Sequence, residues 1–145
     1  MGDLAKDINS KFDNNRVKAL LNIIYTANWI TSCQNEFFKD FGISPQQYNI
    51  LRILRGAGES ITVNEVKERM IQKSPNTTRL MDKLCDKKLI ERERCENDRR
   101  VVFIKITRKG MALLEKIKLK ELHDHLNVLS EGEAKTLNTL LDKIR

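Results

Sequence analysis

Little in this chain suits it to catalysis, export or membrane insertion. Histidine occurs only at His123 and His125, and cysteine only at Cys33, Cys85 and Cys95. Three widely spaced cysteines make no disulfide framework and fit a reducing compartment. The two histidines stand two residues apart, so on a helix they point in different directions. With no Cys or Glu cluster beside them in sequence, no metal site is expected. The longest nearly apolar stretch, residues 19–25, is interrupted by Asn22 and falls far short of the roughly 20 residues that span a bilayer. The N-terminus is polar and acidic, unlike a secretory leader. Two prolines and six glycines form no linker or low-complexity segment, and there is no internal repeat. A phosphate-binding glycine loop, a nucleophile elbow and a paired-His metalloprotease motif are all missing. The chain therefore reads as a cytoplasmic protein, not an enzyme, without cofactor or metal and without membrane association.

What the chain does have is positive charge in one place. Residues 67–109 hold fourteen Lys/Arg and seven Asp/Glu, a surplus equal to the net charge of +7 for the whole chain. The remaining residues carry thirteen of each sign and cancel. A neutral protein with one basic module presents a surface that prefers a polyanion; charge alone leaves open a solvated helix face plus a charged hairpin. With 145 residues, 40% of them hydrophobic, the chain is large enough to bury the core of one domain.

Periodicity places the elements around that module. Residues 12–39 read as a long helix: Val17, Leu20, Leu21, Ile24, Ala27 and Asn28 keep helical spacing, and Ile23, Ile30 and Phe37 extend the apolar surface toward a second face. Ser44-Pro45-Gln46-Gln47 is a capping box with proline at the first helical position. It opens a helix that buries Tyr48, Leu51 and Leu54 and ends at Gly56-Ala57-Gly58. A second box, Thr62-Val63-Asn64-Glu65, opens a short helix through Met70. After the turn Ile71-Gln72-Lys73, Ser74-Pro75 starts a helix to about Lys87 with Leu80, Met81 and Leu84 inward. Two short helices across a three-residue turn have helix-turn-helix proportions. The period then changes to two in residues 89–95 and 101–106, on either side of the turn formers Glu96-Asn97-Asp98-Arg99. This is a β-hairpin, a wing with basic tip Arg99-Arg100. Thr107 caps a helix running to about Val128, with Leu113, Leu114, Ile117, Leu122 and Leu126 apolar. Ser130-Glu131-Gly132-Glu133 is a third box and opens the last helix, with Leu137, Leu140, Leu141 and Ile144. A small winged module cannot cover this much helical apolar surface, so a helical dimer interface is expected, with an intramolecular bundle as the alternative.

The start of the second helix-turn-helix helix suits duplex DNA, because free N–H groups and the helix dipole favour phosphate there. Asn76, Thr78 and Arg79 are candidates for reading base edges in the major groove. Ser74, Thr77 and Lys83 on the same module, and Lys73 before it, are candidates for phosphate contact, although Ser74 reads equally as a plain cap. At the wing tip Asp98 and Arg100 stand two apart. A carboxylate there can orient a guanidinium for a narrow minor groove, or the two can form an ordinary exposed ion pair. Tyr25, Trp29 and Tyr48 are candidates for an aromatic ligand pocket where the first two long helices meet, with core packing as the alternative.

Taken in order, Asp98-Arg99-Arg100-Val101-Val102-Phe103-Ile104-Lys105-Ile106-Thr107-Arg108-Lys109-Gly110 resembles the wing motif of the MarR family of winged-helix regulators, departing only in Ile106 for leucine. Thr78-Arg79-Leu80-Met81-Asp82-Lys83-Leu84 resembles the family's recognition helix, and Leu89-Ile90-Glu91-Arg92 its exit into the wing. The likeness runs from about Arg16 to the C-terminus. It implies a mainly α fold with a small β-hairpin wing, one MarR-like domain over 1–145, dimerisation helices at 12–41 and 111–145, and a winged helix-turn-helix lobe at 44–110. It further implies a homodimer on a pseudo-palindromic double-stranded operator, with Arg100, oriented by Asp98, in the minor groove beside Arg99. A ligand-responsive regulator, often a repressor, released by a small aromatic or amphipathic effector, is the implied activity. The alternatives are a cysteine-based redox sensor on the same fold and a winged-helix module that binds an acidic protein. Family sensors place the reactive cysteine near the start of the first long helix, whereas Cys33 lies near its end. One departure concerns the wing exit: the family has glycine where this chain has Lys88, and in a left-handed conformation lysine costs about 1 kcal/mol more than glycine.

Overall fold

The computed structural model describes residues 2–98, 100–118 and 124–145. Its elements are α1 (Leu4–Asp7), α2 (Asn15–Lys39), α3 (Pro45–Ala57), β1 (Ile61–Thr62), α4 (Val63–Arg69), α5 (Thr77–Asp86), β2 (Ile90–Arg94), β3 (Val102–Ile106), α6 (Arg108–Lys116), a single 3-10 turn (Asp124–Leu126) and α7 (Glu131–Ile144). The architecture is mostly helical with one small antiparallel sheet, in the strand order β1-β3-β2. The chain divides into two compact units at Leu114–Glu115. No helix among the described residues is long and apolar enough to cross a membrane.

All three capping boxes form. Ser44 and Gln47 cap α3, Thr62 and Glu65 cap α4, and Ser130 and Glu133 cap α7, each with the side chain and main chain bonded reciprocally. Such a cap contributes about 1 kcal/mol because it satisfies N–H groups that the helix itself cannot. The amides of Thr62 and Ser130 hold the Glu65 and Glu133 carboxyls below the usual carboxylate range.

The core of the first unit lies where α3, α4 and α5 meet the sheet. Ile50, Leu51, Leu54, Val66, Met81, Leu84, Ile90 and Ile104 are almost fully buried, each such side chain stabilising by roughly 1.5–3 kcal/mol. Gln47 is buried among them, and its Nε2 donates to the Leu80 carbonyl at 3.4 Å, tying the start of α3 to the middle of α5. Lys87 donates to the Gly42 carbonyl and so joins the corner between α2 and α3 to the end of α5.

The elements depart from the sequence reading at several points. β1 is only two residues long, too short to show a period, and exists because Ile61 and Thr62 pair with Ile104 and Phe103. The helix begun at Thr107 stops at Lys116 instead of running to Val128; Leu122 and His123 lie outside the described residues, and Leu126 is exposed. The long helix begins at Asn15, where the Asn14 side chain accepts from the Arg16 and Val17 N–H groups. Phe38 is its one buried residue; Val17, Leu20, Leu21, Ile23, Ile24, Tyr25 and Trp29 are exposed. In α7 no residue is buried, and Leu137, Leu140 and Ile144 are exposed.

Lys88 is left-handed, with φ +59°. Its N–H donates to the Cys85 carbonyl at 2.8 Å, and the Leu89 N–H donates to Leu84 at 3.0 Å. This is a Schellman ending of α5 with lysine where glycine is the unstrained residue. Lys88→Gly is therefore expected to stabilise the protein by about 1 kcal/mol, read as a higher urea midpoint at unchanged slope. An unchanged or lower midpoint would mean that the lysine side chain offsets the backbone cost.

Candidate nucleic-acid interface

The turn before α5 divides its small polar residues between two jobs. Ser74 Oγ accepts from the Asn76 N–H at 3.2 Å, and the Ser74 carbonyl accepts from both the Thr77 N–H and the Thr77 hydroxyl, the latter at 2.8 Å. Thr77 is only 1% exposed. Its assignment to the DNA-facing surface is thus corrected: its hydroxyl is spent on the turn and its methyl on the core. Helix α5 starts at Thr77, two residues later than the reading from Pro75. The N-cap, Asn76, makes no side-chain cap bond, which leaves its amide available at the surface.

Helical spacing then sorts the remaining candidates. Asn76, Arg79 and Lys83, three and four residues apart, share one face. With Ser74, Leu80 and Gln46 they line an open, mainly polar cavity of about 370 Å³. Gln46 comes from the first turn of α3, and its Nε2 donates to Gln72 Oε1 at 2.7 Å. The sequence reading missed both glutamines because nothing local distinguishes a surface Gln. Thr78 and Lys73 are exposed; Thr78 and Asp82 form a second stripe that faces the wing. Arg92 of β2 reaches it, with Nη1 2.6 Å from Asp82 Oδ1 and Nη2 donating to the Thr78 carbonyl at 3.5 Å.

The wing pairs in register, Ile90 with Ile106, Arg92 with Ile104 and Arg94 with Val102. At its tip, Asp98 Oδ1 accepts from the Arg100 backbone N–H at 2.9 Å, and the Asp98 carbonyl accepts from the Val101 N–H at 2.9 Å. Asp98 thus orients Arg100 by fixing its main chain, where the sequence suggested a bond to the guanidinium. Arg100 is exposed; Arg99 lies outside the described residues.

The root of the wing explains the spacing of the Thr-Arg-Lys-Gly motif. Thr107 donates its hydroxyl to the Lys88 carbonyl at 2.7 Å and its N–H to the Leu89 carbonyl at 3.1 Å, and it accepts from the Gly110 N–H at 3.1 Å. Gly110 packs so closely that a Cβ there would lie 2.3 Å from the Leu89 oxygen. One threonine and one glycine therefore lock the exit of α5 to the start of α6.

The chain is similar in sequence and in shape to proteins of known class. The family model described as the MarR family matches residues 41–101. The multiple antibiotic resistance protein MarR of Salmonella typhimurium is 34% identical over 114 residues, 76% of this chain and 78% of the relative. The chain belongs to the MarR family. The HTH-type transcriptional regulator MhqR of Bacillus subtilis is 29% identical over 118 residues, 79% of this chain and 81% of that protein. A mutant MarR of Escherichia coli complexed with operator DNA superposes with a TM-score of 0.76 at 29% identity, covering 99% of both chains. The Staphylococcus aureus MepR–DNA complex, at 23% identity and TM-score 0.73 over 92% of this chain and 97% of that one, shares the fold. As a MarR-family member this chain is a DNA-binding transcriptional regulator with a winged helix-turn-helix, not an enzyme.

The remaining candidates are three aromatics and three cysteines. Tyr48 is buried, its ring 4.6 Å from that of Phe38. Burial pushes its hydroxyl pKa up, against the pull of Arg52 and Arg55. Tyr25 and Trp29 are exposed on α2, about 20 and 13 Å along the helix from Phe38 at 1.5 Å per residue. The three aromatics therefore do not line one pocket within the chain. Cys33, Cys85 and Cys95 are free thiols, partly exposed. Burial pushes the Cys85 thiol up; Arg92 opposes the shift, and Asp82 and Asp86 reinforce it.

Proposed function

We propose that this MarR-family chain is a repressor that binds a pseudo-palindromic operator as a homodimer in the cytoplasm and is released by a small aromatic or amphipathic effector. The observation that carries the reading is the pairing of two surfaces in one lobe: the α5 face of Asn76, Arg79 and Lys83, which lines an open polar cavity, and the exposed, main-chain-braced Arg100 at the wing tip. The first has the size and donors of a major-groove reader, and the second is a cation suited to a minor groove. Ser74, Thr78 and Lys73 border the first surface and serve as backbone contacts, with Thr78 also within reach of base edges. Dimerisation is supported by the exposed apolar residues of α2 and α7. Repression is supported by the HTH-type transcriptional repressor MdtR of Bacillus subtilis, 36% identical over 76 residues. Effector release follows the family pattern that the wing and recognition-helix motifs imply.

The test is binding of Arg100→Ala to a duplex that the wild type selects from a random-sequence pool. Affinity should fall tenfold or more, about the effect of one lost groove arginine, while the urea midpoint stays put because the tip supports no core. Unchanged affinity would refute the minor-groove assignment.

A further inference from the structure

We infer that the two arginines on one face of β2 divide the work of DNA recognition: Arg92 is a positioning residue that sets the wing against the recognition helix, and Arg94 binds the sugar–phosphate strand that passes between them. The inference rests on the regulator reading and assigns two residues that the sequence did not single out.

Side chains alternate along a strand. Ile90, Arg92 and Arg94 share the face of β2 that looks onto α5, since Ile90 and Ile104, the cross-strand partner of Arg92, are buried in the core there. Glu91 and Glu93 take the other face, where Glu91 meets Lys105 at 3.1 Å. Arg92 stands at the core's edge. Its guanidinium spans one turn of α5, from the Thr78 carbonyl to the Asp82 carboxylate, a planar fork that lysine cannot copy. The Asp82 charge neutralises it, so little of its charge is left for DNA. The pair is a third to a half exposed, so it contributes little to stability; what it supplies is a fixed angle between helix and wing.

Arg94 points the same way about 7 Å further toward the tip and makes no ion pair among the described residues. A duplex that meets α5 in its major groove and Arg100 in the adjacent minor groove must pass one phosphate backbone between those two elements, because that backbone is the wall between the grooves. Arg94 lies on the wing surface that faces this passage. The recognised group is a DNA phosphate, a contact that fixes register and carries no sequence information.

The experiment measures affinity against salt for full-length wild type, Arg94→Ala, Arg92→Ala, Arg92→Lys and Asp82→Asn, on a duplex selected by the wild type and on an unrelated duplex. Arg94→Ala should flatten the slope of log affinity against log salt by about 0.9 and weaken both duplexes alike. Arg92→Ala and Arg92→Lys should leave the slope on the unrelated duplex unchanged and lower the ratio of selected to unrelated affinity about tenfold, equivalent to one mismatched base pair. Asp82→Asn should lower that ratio too, although removing a negative charge alone would raise affinity everywhere. Thermal midpoints should stay close to wild type. An unchanged slope in Arg94→Ala, a retained ratio in Arg92→Lys, or a slope loss in Arg92→Ala equal to that of Arg94→Ala overturns the assignment. Failure of the wild type to enrich any sequence would instead overturn the regulator reading beneath it.

Discussion

Gly110→Ala is expected to destabilise the protein by about 3 kcal/mol or more, although the same change in a free helix stabilises it by about 1 kcal/mol. Gly110 lies in the first turn of α6, where alanine is the better helix former. The added methyl, however, would sit 2.3 Å from the Leu89 oxygen and 2.7 Å from Ile106 Cγ1. Neither neighbour is free to retreat. Leu89 is buried, and its carbonyl is held by the Thr107 N–H; the residue before it is already in a left-handed conformation. Moving α6 away would break the bonds from Thr107 to Lys88 and from Gly110 to Thr107, each worth about 1 kcal/mol. Gly56 is the control. It lies in α3 with nothing within 4 Å of a Cβ, so Gly56→Ala should be neutral or stabilising by up to about 1 kcal/mol. Urea unfolding of the two variants gives opposite signs if the close approach is real. A Gly110→Ala midpoint equal to wild type would show that the α5–β2 corner yields.

The pair Leu20→Asp and Ile24→Asp should convert the protein to a monomer and lower its affinity for the selected duplex at least a hundredfold. Both residues lie on α2 one turn apart and are exposed in the single chain, Leu20 at 57% and Ile24 at 49%. Changing them removes no packing inside the lobe, so helix content should persist. In a homodimer the same positions would be desolvated, and two facing pairs of carboxylates would be untenable there. The loss in affinity comes from geometry: two linked lobes exceed one by a factor of about 10² to 10⁴ through effective concentration alone. Sedimentation gives the mass and a salt titration gives the affinity. A variant that remains dimeric places the interface elsewhere, and one that is monomeric yet binds as wild type refutes two-lobe recognition.

The elements that were legible in the sequence are those whose signal is local. Ser44, Thr62 and Ser130 each announce a helix three residues before its matching Gln or Glu, because a capping box is complete within four residues. The wing is legible because its period changes from helical to two, and because a turn-rich tip separates two runs that pair residue for residue. The charge surplus of residues 67–109 is likewise a property of the chain before it folds. Thr77 was misread for the opposite reason. Its type and position suit a DNA contact as well as those of Thr78, and only the way α5 settles on α3 and the sheet buries one and exposes the other. Tyr48 and Tyr25 look alike in sequence, and packing against Phe38 separates them.

The amino-acid order thus determines where helices begin, where the wing turns and where positive charge collects, since each rests on neighbours within a few residues. It does not determine which arginine is spent on Asp82 and which faces outward, why Gly110 has no room for a methyl, or that a two-residue strand at Ile61 joins the sheet. Those depend on side chains and carbonyls brought together from residues 61, 78, 82, 89, 92, 104 and 110. Such contacts exist only after the core has closed, and no short window of sequence contains both partners.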